Sequence, residues 1–292
     1  MQSALEETCP HPGELNARAV EILRENDRNV FRQFALGVLG SLTGDPSAAV
    51  PISAISRFWW AGAEALDDLI DQDTDQKSLL AAIPCLTLFP QVVITQADVS
   101  GEVREFWRRE LVAYSVHAAE GQLADLARTE ITWPSVIRAY VGKTGAAYGG
   151  DAAMAARLVT ADERVLHAWR SFGRMFGVLR QVHNDNGGPE AFAEDIRNGT
   201  PTLLLAHALE VTDRPAELNT VRRLARRDPG ALTELRRMLL DPRITSGYDG
   251  RLVAFRNQAR DLLHQLAGPS HHRDVLDSMI DTSAAAALKT AA

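Results

Sequence analysis

The sequence predicts an all-α fold, and three observations carry that reading. Apolar residues recur at three- and four-residue spacing from end to end, long segments are rich in Ala, Leu, Arg and Glu, and alternating strand patterns are nearly absent. With 292 residues, 46% of them apolar, the chain can bury a substantial core. No Gly/Ser-rich linker or charge block divides it, so one domain over 1–292 is expected, with flexible tails at 1–11 and 283–292.

Pro12-Gly13 opens a first helix from about Glu14 toward Leu42, with a break near Asn26-Asp27, and Gly44-Asp45-Pro46 ends it. A helix from about Ala54 carries Phe58, Trp59 and Trp60 into an acidic stretch. The longest apolar run, Leu79 to Ile94, contains Pro84 and Pro90 and is too short to span a bilayer; it reads as buried helix broken by turns. The next helix, about 101–128, places Gln122 and Asp125 three apart on one face. Trp133-Pro134 starts a helix with Tyr140, Lys143, Thr144 and Gly145, whose small residues allow close helix approach. From Asp162 a helix through Trp169, Phe172 and Phe176 reaches Gln181, His183, Asn184 and Asp185, and Asn186-Gly187-Gly188-Pro189 stops it. Glu194 to Leu203 leads into an apolar helix ending near Glu210, and amphipathic helices follow around 214–227, 229–240, 250–267 and 272–280.

The net charge of −7 argues against a nucleic-acid partner, which needs a basic stripe. Arg222, Arg223, Arg226, Arg227, Arg236 and Arg237 interleave with leucines as solvated helix faces. Two distant cysteines, Cys9 and Cys85, make neither a disulfide framework nor a zinc site. Without signal-peptide features or a spanning segment, a cytoplasmic protein with no membrane partner is expected.

One stretch stands out against this background. Asp67, Asp68 and Asp71 lie three and four apart, so a helix presents all of them on one face within a turn. Like charges at that spacing repel, and near a helix C-terminus they oppose the macrodipole. A divalent cation reverses both effects. Magnesium suits such a place because it takes one or two carboxylates, keeps several waters and completes its shell with phosphate oxygens. A solvated acidic helix end running on into Asp73 and Asp75 is the alternative.

In matching order, the segments resemble the trans-isoprenyl diphosphate synthase (polyprenyl synthetase) family from about residue 27 to 210. Asp67-Asp68-Leu69-Ile70-Asp71 is similar to its first aspartate-rich motif, and Gly121-Gln122…Asp125-Leu126 to its Gly-Gln-x-x-Asp-Leu. Lys143-Thr144-Gly145 resembles the Lys-Thr segment and Gln181…Asn184-Asp185 the Gln-x-x-Asp-Asp opening of the second motif. Asp195-Ile196…Gly199…Thr202-Leu203 resembles the stretch that follows. The resemblance implies an isoprenoid synthase fold, an antiparallel helix bundle around a deep central cavity, as a homodimer. It implies about three Mg2+ ions on the diphosphate of an allylic prenyl substrate, held by Asp67, Asp68 and Asp71 and by Asp185 with Asn184. Lys143 would meet the diphosphate, with Gln181 and Gln122 in support.

The departures bear on function. Elongating members bind isopentenyl diphosphate through Gly-Lys-x-x-Arg-Pro and Arg-Arg-Gly stretches. These map to Asp27–Arg32, where Arg28 keeps one charge, and to Gln76-Lys77-Ser78, where Lys77 does. A second diphosphate needs several cations in fixed geometry, so that pocket is poorly furnished. The second metal motif is also reduced: its closing acid falls on Gly188, and Glu190, Glu194 or Asp195 could substitute. The leading expectation is a class I terpene synthase that ionises an allylic diphosphate and captures the cation internally. Prenyl transfer to an unusual acceptor, ordinary elongation and an inactive partner subunit are the alternatives. Ala63 and Gly62, four and five before Asp67, are the small residues that in this family leave the tunnel open.

Overall fold

A computed structural model describes residues 21, 30–70, 76–127, 131–185 and 189–288. The described residues are helical, with no strand among them. After a 3-10 turn at Val30–Gln33 come α1 Phe34–Thr43, α2 Val50–Ile70, α3 Gln76–Thr87, α4 Phe89–Gln96, α5 Gly101–Ala127 and α6 Trp133–Tyr140. A π-helical turn at Val141–Gly145 joins α6 to α7 Ala146–Arg157. Then follow α8 Glu163–Asp185, α9 Pro189–Asn198, α10 Leu203–Val211, α11 Pro215–Ala225, α12 Pro229–Leu239, α13 Pro242–Leu266 and α14 His271–Leu288. No described helix is long and apolar enough to cross a membrane.

Contacts group the chain into two compact units, each drawn from three stretches. One comprises Met1–Val112, Gly150–Trp169 and Ala267–Arg273; the other comprises Ala113–Gly149, Arg170–Leu266 and Asp274–Ala292.

In the first unit α2 packs on α3 and α4. Its apolar face buries Ile52, Ile55, Phe58 and Trp59, with Phe58 and Phe89 rings 5.1 Å apart. Helix α1 ends where the sequence places the stop, because Gly44 takes a left-handed φ of 81° and its N–H caps Gly40 O. Helix α2 begins at Val50, four residues ahead of expectation, since Pro51 fits a first helical turn that needs no donor there. Pro84 does not break α3; Pro90 sits in the first turn of α4. Gly62 corrects another expectation. A Cβ there would lie 2.5 Å from Leu86 Cγ and 2.9 Å from Ala82 O, so its smallness serves the close packing of α2 on α3. Cys85 is buried, and burial pushes its thiol up to about 12.

Asp151 on α7 is a buried acid, 2% exposed. Ser56 Oγ donates to its Oδ2 at 2.7 Å, and its Oδ1 has no hydrogen-bond partner among the described residues. Burial pushes this carboxyl up to about 7, against the Ser56 hydrogen bond and the charge of Arg32. Because the folded value lies above the unfolded 3.8, the contribution to stability is fully present below about pH 4 and is lost as pH rises toward 7. Each tenfold change in acidity is worth about 1.4 kcal/mol. Asp151→Asn keeps an acceptor for Ser56 and cannot ionise. Urea unfolding at pH 4.5 and 8 is expected to show the variant gaining a few kcal/mol on the wild type at the higher pH; an equal difference at both pH values refutes this.

The second unit is built around α10, whose residues Leu203 to Ala208 are all buried. A helix buried over so long a run, and mostly apolar there, belongs at a core. Val136, Val178, Val182, Leu235, Leu239 and Leu252 surround it. Its chain reversal is set by Gly199, at φ 71°, after which Thr202 caps α10 by accepting from Leu205 N–H at 3.3 Å. Helix α14 continues to Leu288, with Ser283 and Ala284 buried, since alanine has the highest helix propensity and Ser283 bonds back to Met279 O at 2.8 Å.

Candidate active site

On α2 the residues Ser56, Trp60, Glu64 and Asp67 follow three- and four-residue steps along one face. Asp67 is half-buried in the last turn. Glu64, one turn earlier, is paired with Arg32, whose guanidinium lies 4.5 Å from the centre of the Trp60 ring. Arg32 is itself buried, at 6% exposure. The sequence reading assigns the remaining cation of this stretch to Arg28, which lies outside the described residues, as does Asp71. Of Asp68 and Lys77 only the helical backbone is described.

The second unit brings the other motifs together, and glycine makes this possible. A Cβ on Gly121 of α5 would stand 2.4 Å from Lys143 N and 2.7 Å from Gly142 C. The two backbones therefore touch, and Asp125, one turn beyond Gly121, comes to Lys143: its Oδ2 is 4.0 Å from Nζ. On another side, a Cβ on Gly177 of α8 would meet Gly145 Cα at 2.5 Å. One turn along α8 from that contact, Gln181 Oε1 accepts from Thr144 Oγ1 at 2.6 Å. A further turn brings Asp185, whose Oδ1 accepts from Gln181 Nε2 at 3.0 Å and whose Oδ2 accepts from Tyr140 O–H. The pairs 140 with 185, 144 with 181 and 145 with 177 define an antiparallel register between the α6–α7 segment and α8. The π turn bears both Lys143, directed to α5, and Thr144, directed to α8. Such turns occur often at functional sites.

Asn184 and Asp185, adjacent in sequence, have different surroundings. Asn184 is exposed and accepts from Arg180 Nη2 at 3.4 Å. Gln122 is half-buried on α5, three residues before Asp125.

The carboxylates of this unit are under electrostatic stress. Burial raises Asp185 above the ordinary range, and the Asp125 charge adds to this, while Tyr140, Gln181 and Lys143 favour its ionised form. Burial also raises Asp195 on α9, with the charges of Asp185, Asp125 and Glu194 adding to it and Lys143 opposing. Of the three acids that could replace the missing closing position, Glu190 and Glu194 are exposed, while Asp195 is half-buried and feels the charge of Asp185. Among the described residues no three His, Cys, Asp or Glu side chains form a ready metal cage. Magnesium does not require one, because it uses one or two carboxylates and completes its shell with water and substrate phosphate. Asp195, half-buried and with its proton affinity raised by the Asp185 charge, and Asp185, raised by burial, are acids whose stress a divalent cation would relieve.

Tyr140 and the Asp125–Lys143 contact are the features that sequence reasoning missed. A signal for Tyr140 existed in its spacing: it stands four before Thr144, as Gln181 stands four before Asp185.

No protein-family model and no curated protein matches the sequence. Solved structures do match. The chain is similar to a geranylgeranyl pyrophosphate synthetase from Pyrococcus horikoshii Ot3, with a TM-score of 0.78 and 20% identity over 97% of this chain and 95% of that one. A heptaprenyl diphosphate synthase from Staphylococcus aureus gives 0.77 and 13% over 97% and 95%. A decaprenyl diphosphate synthase from Rhodobacter capsulatus gives 0.71 and 17% over 98% and 99%. At these identities the likeness concerns the fold, and it establishes that the chain has the all-α fold of the trans-isoprenyl diphosphate synthases.

Proposed function

We propose that the protein is a class I isoprenoid synthase that ionises an allylic prenyl diphosphate with loss of diphosphate and then cyclises or rearranges the cation. The observation that carries the reading is the assembled set Asp125, Lys143, Thr144, Gln181 and Asp185, side chains from three helical segments joined within one unit. Asp67, Asp68 and Asp71, and Asp185 with Asp195, would hold magnesium, about three ions in all. When bound, the metal neutralises charge that develops on the departing diphosphate. Lys143 supplies a cation for the same oxygens, and Asp125 holds it in place until substrate arrives.

Internal capture is preferred over elongation because the described cation of the first isopentenyl-diphosphate stretch, Arg32, is buried and paired with Glu64. Transfer of the prenyl group, to isopentenyl diphosphate or another acceptor, is the second reading, favoured by the fold's likeness to chain-elongating synthases. A homodimer belongs to this proposal. Val112, Val116, Leu123 and Leu126 lie exposed on α5 at heptad-like spacing, an apolar stripe that a second copy would cover. A monomer in sedimentation velocity at micromolar concentration would remove that part.

Incubation with geranyl, farnesyl or geranylgeranyl diphosphate and Mg2+, with and without labelled isopentenyl diphosphate, tests the function. Hydrocarbon or alcohol products without incorporated label are expected. A labelled, lengthened diphosphate replaces this reading with the second, and no diphosphate release from any of the three defeats both.

A further inference from the structure

Tyr140 is the last residue of α6 and 4% exposed, with its ring in the same apolar cluster as Val136, Val178, Val182 and Leu203. A phenylalanine would fill that space equally well, so the hydroxyl needs its own explanation. It has two partners. The phenol donates to Asp185 Oδ2 and accepts from Leu203 N–H at 3.3 Å.

Leu203 is the first residue of α10, so its amide belongs to the helix end that carries partial positive charge. A donor of that kind polarises the phenol and strengthens its own donation to the carboxylate. The chain of contacts thus runs from the α10 N-terminus through Tyr140 to Asp185. On the other side, Gln181 donates to Oδ1. One donor stands on each oxygen. A carboxylate at the end of a helix would otherwise turn about its side-chain torsions; two donors rooted in different elements brace it. An ionised carboxylate has about four lone-pair positions, so about two stay open for a cation.

We propose that Tyr140 is a positioning residue: together with Gln181 it orients Asp185 for a divalent cation and ties that carboxylate to the start of α10. The proposal rests on Asp185 being a cation ligand, as in the function proposed above. Groups that orient metal ligands in this way are typically worth about 10- to 100-fold in metal affinity.

The test uses the full chain with Mn2+, an EPR-visible probe, and inorganic pyrophosphate. Asp185→Asn is expected to lose the tightest Mn2+ site. Tyr140→Phe is expected to keep a cooperative thermal transition near the wild-type temperature and to bind Mn2+ about 10- to 100-fold more weakly. If Asp185→Asn binds like the wild type, the cation-ligand reading fails and this proposal with it. If Asp185→Asn loses the site while Tyr140→Phe binds within twofold of the wild type, the positioning role alone is overturned. Should Tyr140→Phe fail to fold, hydrogen exchange of the Leu203 amide in the wild type decides. Slowing by Mn2+ and pyrophosphate is expected, and unchanged exchange overturns the proposal.

Discussion

Lys143→Ala is expected to slow diphosphate release from the allylic substrate by about 100- to 1000-fold, the usual cost of removing one preorganised group that meets developing negative charge. Two features of its surroundings support this expectation. Its backbone is held against Gly121 so closely that no Cβ fits between them, and its ammonium is held 4.0 Å from Asp125 Oδ2. A flexible side chain is thus presented from a fixed base, and little ordering is left for the moment of reaction. Lys143→Arg is expected to rescue poorly, since a planar fork does not reproduce a compact point charge. Asp125→Asn removes the holding charge but leaves the ammonium, so a loss of about tenfold is expected, set by positioning alone. A phosphate-release assay with coupled pyrophosphatase reads all three variants. Wild-type rates from Lys143→Ala would remove the lysine from the mechanism.

The contrast between Lys143 and Tyr140 shows what was legible in the sequence. Gly121, Lys143, Gln181 and Asp185 each fall in a short motif, and the order of those motifs along the chain suggests their meeting. Tyr140 is a common core residue, and its role lies in one oxygen atom whose partners come from α8 and α10, elements separated from it by 45 and 63 positions. Periodicity within one segment cannot report such contacts. Gly62 failed in the opposite way: smallness in sequence does not say whether the space faces a ligand or another helix, and here it faces α3. Helix boundaries are hard to read where proline carries more than one meaning: Pro84 predicts a break and lies within α3, whereas Pro90 opens α4. Of Glu190, Glu194 and Asp195, sequence offers no ranking, because burial and the nearness of the Asp185 charge are properties of the fold.

Replacing Gly121 by alanine should have an effect of the opposite sign to the same change at Gly250. Both lie inside helices, and alanine in place of glycine there favours the helix by about 1 kcal/mol. At Gly250 nothing lies within 4 Å of the added methyl, so Gly250→Ala is expected to stabilise by about that amount. At Gly121 the methyl would stand 2.4 Å from Lys143 N, against backbone that cannot turn aside as a side chain could. Helix α5 and the π turn must then separate, at a cost of about 3 kcal/mol or more, the upper end for an overpacked contact. The overpacking outweighs the propensity, and a net loss of about 2 kcal/mol is expected. Gly177→Ala, with Gly145 Cα at 2.5 Å, should behave likewise. Denaturant unfolding measures the signs, and a second reading distinguishes a general weakening from damage to the site. Separation at Gly121 carries Lys143 away from Asp125, whereas separation at Gly177 carries Thr144 away from Gln181. Both variants should therefore lose activity at temperatures where they remain folded, Gly121→Ala through the lysine and Gly177→Ala through the support of Asp185. Wild-type activity in folded Gly121→Ala would mean that the backbone contact serves stability only, and that the approach of Asp125 to Lys143 does not depend on it.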